Sequence, residues 1–186
     1  MSRFFLVLLY WCLVLPLSAQ QPLGEREFQD KYLQAKSYFQ KDQLSLAYPL
    51  FQELQQEVSS ETGSLLIQDI KYYNIVCGLK KNEQKAKSDA LGFINLEKNN
   101  PRVHQVSFHL AEYNYREQNF SEAAQGYAAC NIAHLSNEEI GDLKFHQGYS
   151  YFILQRFSEA IQLFNSIRQL GAGKYYAAAN YYYGFL

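Results

Sequence analysis

The apolar residues of this chain recur at helical rather than strand spacing, and the pattern is sharpest between residues 136 and 173. SNEE at 136–139 has the form of a capping box, in which Ser136 and Glu139 satisfy each other's backbone donors and start a helix. Phe145, Tyr149 and Phe152 follow at i, i+4 and i+7, and Gly148 and Tyr151 form an adjacent stripe, so this helix has two apolar neighbours. QRFSEA interrupts the pattern. A second helix is predicted over about 158–170, with Ala160, Ile161, Phe164 and Ile167 on one side. GAG at 171–173 ends it, because glycine takes the left-handed backbone past a helix end most readily. The unit, 136–172, reads as a helical hairpin.

The same layout returns along the chain. FSEAAQGY at 120–127 reappears as FSEAIQLF at 157–164, 37 residues later. In the unit 101–135, started by Asn100 and Pro101, the first helix carries Phe108, Ala111 and Tyr115 and the second carries Ala123, Tyr127 and Cys130. In the unit 28–60 the corresponding residues are Ala35 and Tyr38, then Ala47 and Phe51, with Pro49 inside the second helix and expected to bend it. The unit 64–100 is the poorest copy, with Tyr73, Cys77, Phe93 and Leu96 around a lysine-rich turn. After Gly173, residues 173–186 read as the first helix of a further unit, Gly184 answering Gly148 at a distance of 36. Small residues at Ala111, Ala123, Gly148 and Ala160 fit places where two helices of a hairpin approach closely, and Tyr127 and Phe164 fill the space behind them.

With Leu110, Ala111, Phe120, Ala123 and Tyr127 in one unit, and Gly148, Tyr151, Phe157, Ala160 and Phe164 in the next, the chain resembles the tetratricopeptide repeat family over most of 28–186. The resemblance implies an all-α fold, a right-handed α-α superhelix of helical hairpins. The period of 36 or 37 exceeds the usual 34, and the extra residues fall in the turns between hairpins. Such arrays present a concave groove lined by first helices, which the resemblance assigns to an extended peptide or a partner helix. The expected groove residues are Phe108, Glu112, Tyr115, Arg116, Phe145, Tyr149, Phe152, Tyr181 and Phe185. Co-chaperone members of the family hold a C-terminal carboxylate with lysine and asparagine on successive first helices. Here those places hold Phe108, Glu112, Phe145 and Tyr149, so a carboxylate clamp is not expected, and Lys71 and Asn74 are its nearest remnant.

The first 19 residues are set apart from the array. Arg3 precedes an apolar run from Phe4 to Leu15, Pro16 breaks it, and Ala19 offers a small residue for cleavage, the form of a secretory signal peptide. Cys12 lies inside that run, too early and after the wrong residues for lipidation. No later segment is long and apolar enough to span a bilayer. The expected location is therefore the periplasm or cell envelope. An oxidising compartment would permit a bridge between Cys77 and Cys130, while buried free thiols would pack equally well.

A formal charge of −1 supplies no field that would draw the chain to nucleic acid. Tyrosine and phenylalanine number 16 and 13, which suits both helix packing and binding grooves. No serine-nucleophile, zinc-protease, phosphate-loop or dinucleotide motif occurs in the sequence. His109 and Glu112 share a helix face, but no third or fourth metal ligand accompanies them, and His104, His109, His134 and His146 all read as surface residues. Lys80, Lys81, Lys85 and Lys87 read as a solvated turn. No catalytic residue, metal or cofactor is expected. The sequence thus describes a non-enzymatic scaffold of the cell envelope that binds a protein or peptide, with possible self-association through the uncapped last helix. The alternatives are a glycan-binding helical-repeat protein and the N-terminal portion of a larger multidomain protein.

Overall fold

A computed structural model describes residues 23–59, 62–98 and 100–186; the expected signal segment, 1–19, lies outside the described residues. Among the described residues the structure is all-helical, without strands. The helices are α1 (Leu23–Gln40), α2 (Leu44–Glu57), α3 (Ser64–Lys80), α4 (Gln84–Leu96), α5 (Arg102–Arg116), α6 (Phe120–Ala129), α7 (Asn137–Ile153), α8 (Phe157–Arg168) and α9 (Tyr176–Phe185), with a 3-10 turn at Ile132–His134. They pack in consecutive pairs as a helical repeat, and the first helices α1, α3, α5 and α7 also touch in succession. Each hairpin is too thin to bury its own apolar face, and stacking supplies the missing cover.

One turn, built four times, makes the hairpins. Asp42, Asn82, Gln118 and Gln155 have φ of 55°, 60°, 61° and 58°. In each case the next residue's N–H (Gln43, Glu83, Asn119, Arg156) donates to the carbonyl five residues back (Tyr38, Gly78, Asn114, Tyr151) at 2.8–2.9 Å. This closure satisfies the last carbonyls of the first helix and turns the chain back on itself. Aspartate and asparagine tolerate the left-handed region; the two glutamines occupy it without that advantage. At its other end α7 carries the reciprocal capping box, Ser136 with Glu139. Asn100 Oδ1 accepts from the Arg102 N–H at 3.0 Å and starts α5. Pro49 lies inside α2 on an exposed face.

Absence of side-chain volume sets how closely the paired helices approach. A Cβ on Gly78 would stand 2.6 Å from the Cβ of Ala86, one on Gly126 2.9 Å from that of Ala111, and one on Gly148 3.1 Å from Phe164. At Gly184 a Cβ would meet nothing within 4 Å among the described residues. The second hairpin uses a shifted set. Counted from the left-handed residue, Ala86, Ala90 and Phe93 come one position earlier than Ala47, Phe51 and Leu54, and all six are buried. Cys77 is fully buried and Cys130 partly so; both are free thiols, and burial pushes each up to about 12.

Among the described residues, the buried side chains form three clusters. The first joins α1 to α4 with Val106, Leu110 and Tyr113 of α5. The second holds Phe108, Ala111, Ala123, Tyr127 and Leu143. The third holds Ala124, Phe145, Tyr151, Ala160, Phe164, Ile167 and Ala179.

Two glycine substitutions separate close packing from ordinary helix propensity. Gly78→Ala forces α3 and α4 apart and should lower unfolding free energy by about 1–3 kcal/mol. Gly92→Ala, where a Cβ meets nothing within 4 Å, should raise it by about 0.5–1 kcal/mol. Urea denaturation of both variants checks the opposite signs.

Candidate functional site

The sequence-predicted groove residues do not share one surface. Phe108 and Phe145 are core: they are 2% and 9% exposed, wedged between their own hairpin and the next, and so do not face a groove. The i, i+4 stripe that was expected to line a groove turns inward there because each first helix is covered on two sides. Arg116 belongs to a turn. Its Nη2 donates to the Leu79 carbonyl at 2.6 Å and its Nε to Asn82 Oδ1 at 3.0 Å, tying the third hairpin to the left-handed turn of the second. Lys80 does the equivalent one hairpin earlier, pairing with Asp42 at 2.6 Å, so it is not merely a solvated turn lysine.

Tyr115, Tyr149, Phe152 and Phe185 meet in one row of rings across α5, α7 and α9. Tyr115 and Tyr149 have ring centroids 6.0 Å apart, Tyr149 and Phe152 6.3 Å, and Phe152 and Phe185 5.7 Å. Most are tilted or edge-on, the arrangement that the ring quadrupole favours. Sequence reasoning missed Tyr182, which stands 5.5 Å from Tyr149 and 5.2 Å from Phe152 and closes the row. Phe120 and Phe157, which open the repeated FSEA phrase, were read only as repeat markers; they flank the row at 5.9 Å from Tyr149 and 6.1 Å from Phe152. Tyr115, Tyr149, Phe152 and Tyr182 are partly buried, and Phe157 and Phe185 are exposed. Tyr181 also points to solvent.

Behind this row lies a polar chain. Glu112 Oε1 accepts from the Tyr127 hydroxyl at 2.6 Å and contacts His146 Nδ1 at 2.8 Å. A carboxylate only accepts, so Nδ1 carries a proton that it donates to Glu112, and Nε2 lies 3.2 Å from the Tyr175 hydroxyl. Burial first, then Glu112, raises Tyr127 far above the ordinary phenol value, and burial pushes Tyr175 up to about 12, so both hydroxyls keep their protons at neutral pH. Tyr115 stacks on the imidazole with centroids 4.2 Å apart. Thus Glu112 and His146 do not face a partner; they lock α5, α6, α7 and the segment before α9 into one geometry beneath the rings.

His146 and His109 are not surface residues. Side-chain exposure is low for both, because each is covered by the following hairpin. Burial, with Lys80 and Arg116 adding to it, holds His109 at about 3, so its 3.9 Å approach to Glu139 is not an ion pair at neutral pH. The two remaining histidines, His104 and His134, stack at 4.8 Å. Asn74 Nδ2 donates to Gln55 Oε1, and its own Oδ1 has no partner. Lys71 and Asn74 line one cleft with Gln55 and Gly92. Among the described residues no three His, Cys, Asp or Glu side chains converge as a metal site, and no helix is long and apolar enough to cross a membrane.

No family model, no curated protein and no solved structure matches this chain.

Removing the acceptor at the centre of the polar chain strands two buried donors. Glu112→Ala should destabilise the fold by about 1.5–3 kcal/mol, and a double-mutant cycle with His146→Ala should recover at least about 1 kcal/mol of coupling. His109 sets a separate pH dependence. Its folded value, about 3, lies below its ordinary value of 6.5, so the unfolded chain binds the proton first on acidification. The stability this site contributes is complete above about 6.5 and falls as pH drops towards 3. His109→Gln should flatten that part of a plot of melting temperature against pH.

Proposed function

We propose that this chain is an exported tetratricopeptide-repeat scaffold of a bacterial cell envelope, without catalytic activity, which binds a peptide or partner helix on the surface formed by its first helices. The observation that carries the reading is the row Tyr115, Tyr149, Phe152, Tyr182 and Phe185, continuous across three successive first helices and partly open to solvent. Aromatic rings on a rigid scaffold supply large contact area at small entropy cost and are the residues that dominate binding energy at protein interfaces. The Glu112 and His146 pair beneath them fixes the hairpins against one another, so little ordering is left to occur on association. The apolar leader read in residues 1–19 supports the envelope assignment.

Panning a displayed peptide library against the whole chain tests the reading. Recovered peptides should share apolar or aromatic anchors at helical or alternate spacing. Tyr149→Ala combined with Phe152→Ala should weaken their binding at least tenfold while the far-ultraviolet circular dichroism stays helical. Unchanged affinity, or enrichment only on a glycan array, would remove the proposal.

A further inference from the structure

The second helices α2 and α4 both pack on α3 and make at most slight contact with each other, and a polar slot runs between them along α3. It has two lobes, of about 290 and 250 Å³, and Gln55 and Asn74 border both. Where the lobes meet, the Asn74 amide rests one end on Gln55, while its other end is buried without a partner. Turning the amide over would not mend this, because one of its two ends would still face no protein group. A buried polar atom left unmatched calls for a partner from outside the chain. Charge around it is balanced. Lys85 borders the first lobe, and Lys71, Asp89 and Glu97 border the second. Among the described residues none of these four enters an ion pair. Ile75 and Phe93 give the second lobe an apolar floor, and at Gly92, on its wall, a Cβ would meet nothing within 4 Å.

We propose that this slot binds a neutral saccharide, one ring in each lobe, with Asn74 and Gln55 at the linkage between them. Two unpaired cations beside two unpaired anions oppose a ligand with net charge of either sign. A neutral occupant must then donate to the carboxylates and accept from the ammonium groups, and a sugar hydroxyl does both through its proton and its lone pairs. The same hydroxyls match whichever end of the Asn74 amide is free. An extended peptide presents donors and acceptors in fixed alternation and adds side chains that the lobes would have to enclose. A disaccharide carries hydroxyls all round and divides at its glycosidic oxygen, as the slot divides at Asn74. The apolar floor suits the C–H face of a ring. None of Tyr115, Tyr149, Phe152 and Tyr182 lines this slot, so the inference stands apart from the reading of the aromatic row.

The probes are cellobiose, maltose and N,N′-diacetylchitobiose, each titrated into the isotope-labelled whole chain and followed by nuclear magnetic resonance. The side-chain amide signals of Asn74 and Gln55 are identified by their loss in Asn74→Ala and Gln55→Ala. At least one disaccharide should shift both signals saturably in the millimolar range. Gly92→Leu, which has open space for its side chain and fills the second lobe, should weaken that binding at least tenfold while circular dichroism stays helical. Asn74→Ala should weaken it to a similar extent, read from the Gln55 signal. Tyr149→Ala with Phe152→Ala should leave it within threefold of the unmodified protein, so failure of the groove reading and failure of this one remain distinct. The inference is overturned if no disaccharide gives a saturable shift, or if Gly92→Leu and Asn74→Ala leave the affinity unchanged. It is likewise overturned if triglycine moves the two signals at lower concentration than any of the three sugars.

Discussion

The closest approach of two helices within a hairpin is the constraint from which the rest of the molecule follows. Between α3 and α4, α5 and α6, and α7 and α8, the backbones come near enough that a single added methyl at Gly78, Gly126 or Gly148 would collide with its neighbour. Interiors at crystal-like density have no slack to absorb that. Close approach makes each hairpin flat, and a flat hairpin leaves two broad apolar faces that only another hairpin can cover. Stacking, the three core clusters and the continuous surface of first helices are all consequences. The four left-handed turns hold the geometry from the other side, since each brings the second helix back in the same register.

Polar side chains set how one hairpin sits on the next. Tyr32 donates to Asp69, which pairs with Arg102 at 2.6 Å, and so three successive first helices are joined through one carboxylate. Arg102 also lies 4.2 Å from the centre of the Tyr72 ring, a cation over an aromatic face. Farther along, Glu112 takes the equivalent part between Tyr127 and His146. Apolar contact alone would let stacked hairpins slide; directional bonds at the core's edge favour one rotation. The aromatic row is continuous because these bonds keep α5, α7 and α9 in step.

The hairpins, the capping box at Ser136 and the Gly-Ala-Gly stop were legible because each depends on residues within about one helical turn of one another. The direction of the stripes was less so. Phe108 and Phe145 satisfy the spacing for a groove as well as for a core, and only the presence of a following hairpin decides between them. The Glu112 and His146 pair was invisible because its members are 34 residues apart and its meaning depends on stacking register. His109 was misread for the same reason. The second hairpin looked degenerate since its small residues arrive one position early, an offset absorbed beside Asn82 that no fixed repeat template anticipates. The turns themselves carried a readable sign, Asp42 and Asn82, obscured by the glutamines that occupy the other two.

The division of the interior into three clusters governs how the molecule comes apart. The seam between the second and third is crossed by His146, which has Tyr127 on one side and Phe145 on the other, so a titratable ring occupies a place where a continuous core would have hydrocarbon. A chain organised this way is expected to melt as a row of coupled cooperative blocks rather than as one all-or-none body. Force applied along the stack, or a protease waiting for an opening, would therefore meet a staircase of barriers, with its lowest step at whichever seam has lost its polar rivet.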